Sequence, residues 1–366
     1  MSDFFRASYR WQVVSFTTGE PFIELPDLQM SSVEHRMQEY TTVEAQLPWD
    51  SIPPDWFTVV QPWRYAIVLL MNEIPLMGWV ILKNETTLDG DSVSLQLATA
   101  DAYLTRCPIN DVTYSNTSQT LLADDLIHRY VINGMNNAFR TVTTASSYKR
   151  DRTYKASDNK SVYDALNELA QVINGLDWCC DWKHDAATNT YYPEIRVSDV
   201  LGRITPVVTL GVESMSDFKV THDWSESAGA NMVEAVSTAE GDIQPTSGWI
   251  KHNDTTRPIL KYRYSPSSSI TNKQTLIDHA QGKLESIKNG VTTVEMTLSL
   301  ENAPQVNDVW QIGDVIGYDV SEARDRFPDD YKGWFRTIGY KLDFGSTWTL
   351  TPYLQQNVTP TEDIQS

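Results

Sequence analysis

Short stretches in which apolar and polar residues alternate dominate the chain: SVSLQLAT (92–99), PEIRVSDV (193–200) and STWTLTPYL (346–354), separated by Gly, Pro, Asn and Asp. Successive side chains of a strand point to opposite faces, so this period predicts strands with one buried face. The apolar run from Ala66 to Met71 has no alternation and predicts a buried strand. Three segments carry a helical period instead. LLADDLIHRYVIN (121–133) places Leu122, Leu126, Ile127, Tyr130 and Val131 on one stripe, with Thr120 as cap and Gly134 as stop. VYDALNELAQVIN (162–174) places Val162, Leu166, Leu169, Ala170 and Ile173 inward. Ser161 and Asp164 stand at capping-box spacing before it and Gly175 after it. The third, 272–289, has Thr271 as cap, Leu276, Ile277, Ala280, Leu284 and Ile287 inward, and Gly290 at its end.

One strand motif recurs. TTVEAQL (41–47) and TTVEMTL (292–298) share five of seven residues, and the landmarks after them recur in one order. Thr41 is followed by Trp63, the Gly78–Trp79 pair and the strand from Ser92; Thr292 by Trp310, the Gly333–Trp334 pair and the strand from Ser346. The gaps are 22, 15 and 14 residues against 18, 23 and 13, and the one large difference coincides with the polar, proline-containing segment SEARDRFPDDYK (321–332). Two β-domains of similar plan, one at each end, are therefore expected. Between them, residues 106–205 combine two helices with GLDWCCDW and TYYPEIRVSDV, which read as strands paired around KHDAATN. The expected division is 1–105, first β-barrel domain; 106–205, inserted α+β domain; 206–254, β connector or small domain; 255–366, second barrel domain, carrying the third helix. The tail after Gln355 is polar and expected to fray.

Composition removes several classes. At 366 residues the chain supports more than one core. No apolar run reaches the ~18 residues that span a bilayer, and MSDFFRASYRWQ has no signal-peptide h-region, so synthesis in a cytoplasm is expected. A formal charge of −19 without a basic cluster argues against a phosphate-binding surface. Twelve Trp and seventeen Tyr suit pleated surfaces, interfaces or sugar-binding grooves. Cys107, Cys179 and Cys180 form neither a disulfide framework nor a CxxC pair. His35, His128, His184, His222, His252 and His279 are scattered singly and read as surface residues, and no nucleophile elbow, P-loop, GxGxxG or HExxH occurs. The acidic pairs Asp124–Asp125 and Asp329–Asp330 read as helix-surface and loop charges rather than glycosidase carboxylates.

Several segments together carry a resemblance. TTVEAQLPWD with QPWRYAIVLLMNEIPLMGWVILKNE, SVYDALNELAQVINGLDWCCDW, SAGANMVEAVST and VWQIGDVIGYDV are similar to stretches of the tail-hub proteins of tailed bacteriophages, the T4-type baseplate-hub class of minor tail proteins. The chain departs from that pattern at Met77–Gly78, where a GG pair is frequent. The resemblance implies a non-enzymatic virion protein, mainly β with an α+β insertion: two tube-like β-barrel domains per subunit. Three subunits form a ring of pseudo-sixfold symmetry that joins a sixfold tail tube to a threefold tip. It implies a homotrimer at the virion's tail tip, with the tube or distal tail protein, tape measure and tip or fibre proteins as partners. DNA would pass through the lumen unbound, and no cofactor or metal is implied. Thr41, Trp63, Gly78, Trp79, Thr292, Trp310, Gly333 and Trp334 are the expected repeat-equivalent positions. The alternatives are a carbohydrate- or receptor-binding tip protein, favoured by exposed Trp side chains, and a cell-wall hydrolase. Buried Trp79, Trp334 and Trp348 favour the hub.

Overall fold

The computed structural model describes residues 8–135, 138–237, 245–253, 256–266, 270, 272–323, 325–327 and 331–355. From the N-terminus run β1 (Tyr9–Ser15), β2 (Pro21–Glu24), β3 (Ser32–Arg36), β4 (Thr42–Pro48), a single helical turn α1 (Trp56–Val59), β5 (Tyr65–Met71), β6 (Ile74–Glu85) and β7 (Ser92–Thr99). All but β3 form a six-stranded sheet of order β2-β1-β5-β6-β7-β4. Every residue of β5 is buried, which explains its unalternating run. Its Ala66, Val68 and Leu70 enter a core shared with helices and strands of the middle segment, while Ile67 and Leu69 fill the other face.

The middle segment contains β8 (Val112–Ser118), α2 (Gln119–Tyr130), β9 (Arg140–Thr143), β10 (Lys149–Tyr154), α3 (Val162–Ala170), β11 (Asp177–Asp185) and β12 (Thr190–Ser198). β11 and β12 pair antiparallel around the expected turn, and β9 joins β12 in parallel. Leu122, Leu126 and Ile127 of α2, Leu166 and Leu169 of α3, and Trp178, Trp182 and Ile195 of the strands cover one face of the first sheet. The Ser161–Asp164 capping box is present. Ser161→Ala is therefore expected to cost about 1 kcal/mol in a denaturant titration, with little change in the slope.

Three helix details differ from the sequence expectation. α2 begins at Gln119 after Ser118, leaving Thr120 buried in its first turn rather than capping it. α3 stops at Ala170, and Asn174 takes a left-handed conformation (φ 53°), so Ile173 is 87% exposed. The cap of the third helix is Asn272, whose side chain accepts from the backbone of Gln274 and Thr275; Thr271 lies outside the described residues.

β13 (Pro206–Gly211) and β14 (Met215–Asp223) lead to β15 (Met232–Ala235), β16 (Ile250–Lys251), β17 (Lys261–Tyr264) and α4 (Lys273–Ile287), then β18 (Val291–Ser299), β19 (Val315–Asp319), β20 (Lys332–Phe344) and β21 (Trp348–Leu354). The chain divides into two compact units, Met1–Asp217 with Met296–Ser366, and Phe218–Glu295. In the smaller unit α4 packs Leu276, Ala280, Leu284 and Ile287 against Val233 and Ala235 of the sheet β16-β15-β17. These units are drawn differently from the four-part division anticipated. The third helix has its core with β15, so it belongs to the smaller unit rather than to the last sheet. In the larger unit the second sheet runs β13-β19-β20-β21-β18, while β3 also pairs with β20. Among the described residues no helix is long and apolar enough to cross a membrane.

Candidate functional site

The two large sheets share an order. In the first, β5, β6 and β7 lie side by side as successive antiparallel strands and β4 returns beside β7. In the second, β19, β20 and β21 do the same and β18 returns beside β21. Each has a register shift on the second of these strands, in β6 between Ile81 and Lys83 against β7 and in β20 between Thr337 and Gly339 against β21. The flanks differ: β1 joins β5 antiparallel, whereas β13 joins β19 in parallel.

The expected repeat positions fall on or beside these strands. Thr41 precedes β4, and its backbone N–H donates to the Thr99 hydroxyl. Thr292 lies in β18 with its hydroxyl 3.0 Å from His222 Nδ1. Trp63, half-buried at φ 59°, precedes β5, and Trp310, buried and donating to the Pro304 carbonyl, precedes β19. Gly78 and Gly333 each lie against an aromatic ring: an added Cβ would stand 2.7 Å from the Trp182 indole and 2.8 Å from the Tyr318 hydroxyl respectively. The tryptophans that follow them part company. Trp79 is fully buried, Trp334 is 47% exposed, and Trp348 is half-buried.

Polar clasps tie the second sheet to the rest of the larger unit. Tyr340 donates to the Leu76 carbonyl (2.7 Å), Asn307 to the carbonyls of Pro75 and Leu76, and Gln305 to that of Met71. Arg203 holds the fully buried carboxylate of Asp314 (2.6 Å), and Arg336 reaches Asp177 and the Leu201 carbonyl.

A buried cluster joins β3, β11 and β12, none of it anticipated. His35 is buried, which corrects the expectation of a surface histidine: β3 places Val33 and His35 on its inward face, and the strand is covered. Its Nε2 donates to Asp181 Oδ1 at 3.0 Å; Arg196 Nε donates to Asp181 Oδ2 at 2.6 Å, and Nη2 to the Ile312 carbonyl. Burial opposes the charge of Asp181, but Arg196 and His35 outweigh it and hold its carboxyl far below the usual range. Burial likewise opposes the charge on His35. Cys179 and the Asp181 carboxylate favour it and raise its pKa to about 10. Because burial also keeps the Cys179 thiol protonated, the carboxylate is the effective partner at neutral pH. Nearby Asp101, buried with Oδ1 lacking a partner among the described residues, is pushed up to about 6 by burial.

The His35, Cys179 and Asp181 donor atoms lie within 4.8 Å of one another, a set that zinc accepts. Here the Nε2 proton and both carboxylate oxygens are already committed, and Arg196 supplies the compensating charge, so the geometry is that of an ion-pair cluster. Its pH dependence follows. A histidine whose folded pKa exceeds its unfolded value of about 6.5 stabilises fully below that value and loses its contribution as pH rises through about 10. Unfolding free energy should fall between pH 6.5 and 10, and His35→Gln should flatten that segment of the profile.

The cysteines are free and buried, and the first acidic pair is tied up in structural hydrogen bonds. Asp124 accepts from Thr141 and Thr143, and Asp125 from Tyr114 and Arg129. Asp329 and Asp330 lie outside the described residues.

No family model matches the sequence, and no curated protein matches it. Solved structures do. The 43 kDa tail protein of prophage MuSo2 from Shewanella oneidensis superposes with a TM-score of 0.53 at 10% identity, over 95% of this chain and 98% of the other. A tail protein from Neisseria meningitidis gives 0.51 at 13% identity over 95% and 97%. A chain of the Francisella PdpA–VgrG complex gives 0.55 at 10% identity, over 99% of this chain and 60% of the other.

Proposed function

We propose, from the fold shared with phage tail proteins, that this chain is a structural virion subunit. Three copies form the hub ring at the tail tip, joining a sixfold tube to a threefold tip. The observation that carries this reading is the repeated sheet order, with its register shift at one equivalent place. Placing Thr41 on Thr292 sets Leu47 on Leu298. The ladders then carry Val93 to Leu350, Leu97 to Leu354 and Ile81 to Thr337. The extra residues Leu82 and Ile338 coincide. The same register sets Trp79 on Phe335 and Gly78 on Trp334, one residue from the Gly78–Gly333 match. A one-residue slip in a strand reverses the face of every side chain, which accounts for one buried and one exposed tryptophan.

Two equivalent sheets per chain give six per trimer, so the subunit matches both symmetries it must join. Sheet edges left open in one subunit are covered by its neighbours in a closed ring. The charge has a place in this reading. Residues 218–295 contain eight Lys and Arg against nine Asp and Glu, so nearly all of the −19 belongs to the larger unit. A lumen with that charge repels phosphates and lets DNA pass unbound. The tube above, the tape measure and the tip fibres are the partners, and the subunit does no chemistry. Immunogold labelling of tails that carry the chain tests this. Label confined to the tip is expected, and label along the tube would overturn it.

A further inference from the structure

A groove of about 570 Å³ opens in the larger unit where the end of the β20–β21 hairpin meets β4 and the segment before β3. Its size falls within the range of small-molecule sites. Its lining is of two kinds. Phe344 and Trp348, with Trp11 behind them, form an aromatic wall: Trp348 lies 4.7 Å from Phe344 and 6.3 Å from Trp11, centroid to centroid, and is half-buried. Glu44 and Gln46, two residues apart on β4 and so on one face, line the groove as well, with Gln29 bridged to Gln46.

The polar side is prepared for a ligand. Gln46 Oε1 accepts from the hydroxyls of Ser92 (2.8 Å) and Ser94 (3.0 Å). This fixes the amide and leaves both Nε2 hydrogens without a partner among the described residues. The Glu44 carboxylate makes no hydrogen bond or ion pair among the described residues. A groove that combines aromatic side chains with a fixed amide donor and a carboxylate acceptor suits a sugar ring. The ring's C–H face packs on the indole, and its hydroxyls donate to the carboxylate and accept from the amide. A free carboxylate on a chain of net charge −19 rejects uronic acids and phosphate-bearing polymers. We propose that this groove is a subsite for one or two residues of an uncharged saccharide. This goes beyond the hub reading and stands independently of it.

The test is titration of the full chain, followed by tryptophan fluorescence, with an N-acetylglucosamine trimer, maltotriose and a galacturonate trimer. Saturable quenching by at least one neutral trimer and none by the uronate is expected. Glu44→Ala, at an exposed position, should weaken binding about tenfold, the loss of a hydrogen bond to a charged group. Trp348→Phe should shrink the quenching and weaken binding too. No saturable signal with either neutral trimer, or unchanged binding in Glu44→Ala, would overturn the assignment. So would a change in oligomeric mass of Glu44→Ala without sugar binding, because the groove would then hold a neighbouring copy.

Discussion

Arg196→Met should lower the free energy of unfolding by about 3–5 kcal/mol, the cost of leaving a buried charge without its partner. Asp181 is buried, with Arg196 on one oxygen and His35 on the other. Removing the guanidinium leaves the carboxylate with the imidazolium alone. It also releases the Ile312 carbonyl, to which Arg196 donates. Because the cluster joins β3, β11 and β12, the loss should appear as a lower denaturation midpoint of the larger unit with a similar slope. Asp181→Leu with Arg196→Met removes both charges and should recover part of the loss, since well-packed apolar residues often replace a buried pair without penalty. A single-variant loss below about 1 kcal/mol would place the pair in the class of solvated surface bridges instead.

Trp79→Ala should be comparably damaging, at about 3–5 kcal/mol, because truncating a large buried side chain loses its transfer energy and leaves a cavity. Trp79 is fully buried at the middle of β6, its ring 6.0 Å from that of Trp11. Trp79→Phe discriminates packing from polarity. The indole Nε1 has no hydrogen-bond partner among the described residues, so phenylalanine removes volume and no hydrogen bond. Its cost should be well under that of alanine. Equal costs for the two variants in urea titrations would mean that the indole nitrogen has a partner.

Period and capping carried much of the fold. SVSLQLAT is β7 to the residue, the unalternating run is the doubly covered β5, and Ser161 with Asp164 does cap α3. Ile173 shows where periodicity stops informing. It continues the apolar stripe of α3, but the helix ends at Ala170 and the residue is exposed. The domain division was less legible because the chain leaves the larger unit and returns to it, and spacing along the sequence does not report that. Of the buried cluster only half a signal existed. The alternation in SVEHR sets His35 beside Val33 on the inward face, yet Asp181 stands 146 residues away, so no local pattern pairs them. Arg196 falls on the polar positions of the alternation in PEIRVSDV, which predicts an outward side chain, yet it is buried between Ile195 and Val197. The groove was invisible in the sequence because β4 and the β20–β21 hairpin that form it lie some 300 residues apart.

As a hub subunit, one chain would supply two of six equivalent positions in a ring. Averaged electron-microscope density of isolated tail tips decides it. The predicted result is a ring of three copies of this 41.5 kDa chain, with six sheets at near-equal angles around a channel and Leu82 and Ile338 at equivalent radius and height. A ring of six copies, or three copies in which only one sheet of each lines the channel, would contradict it.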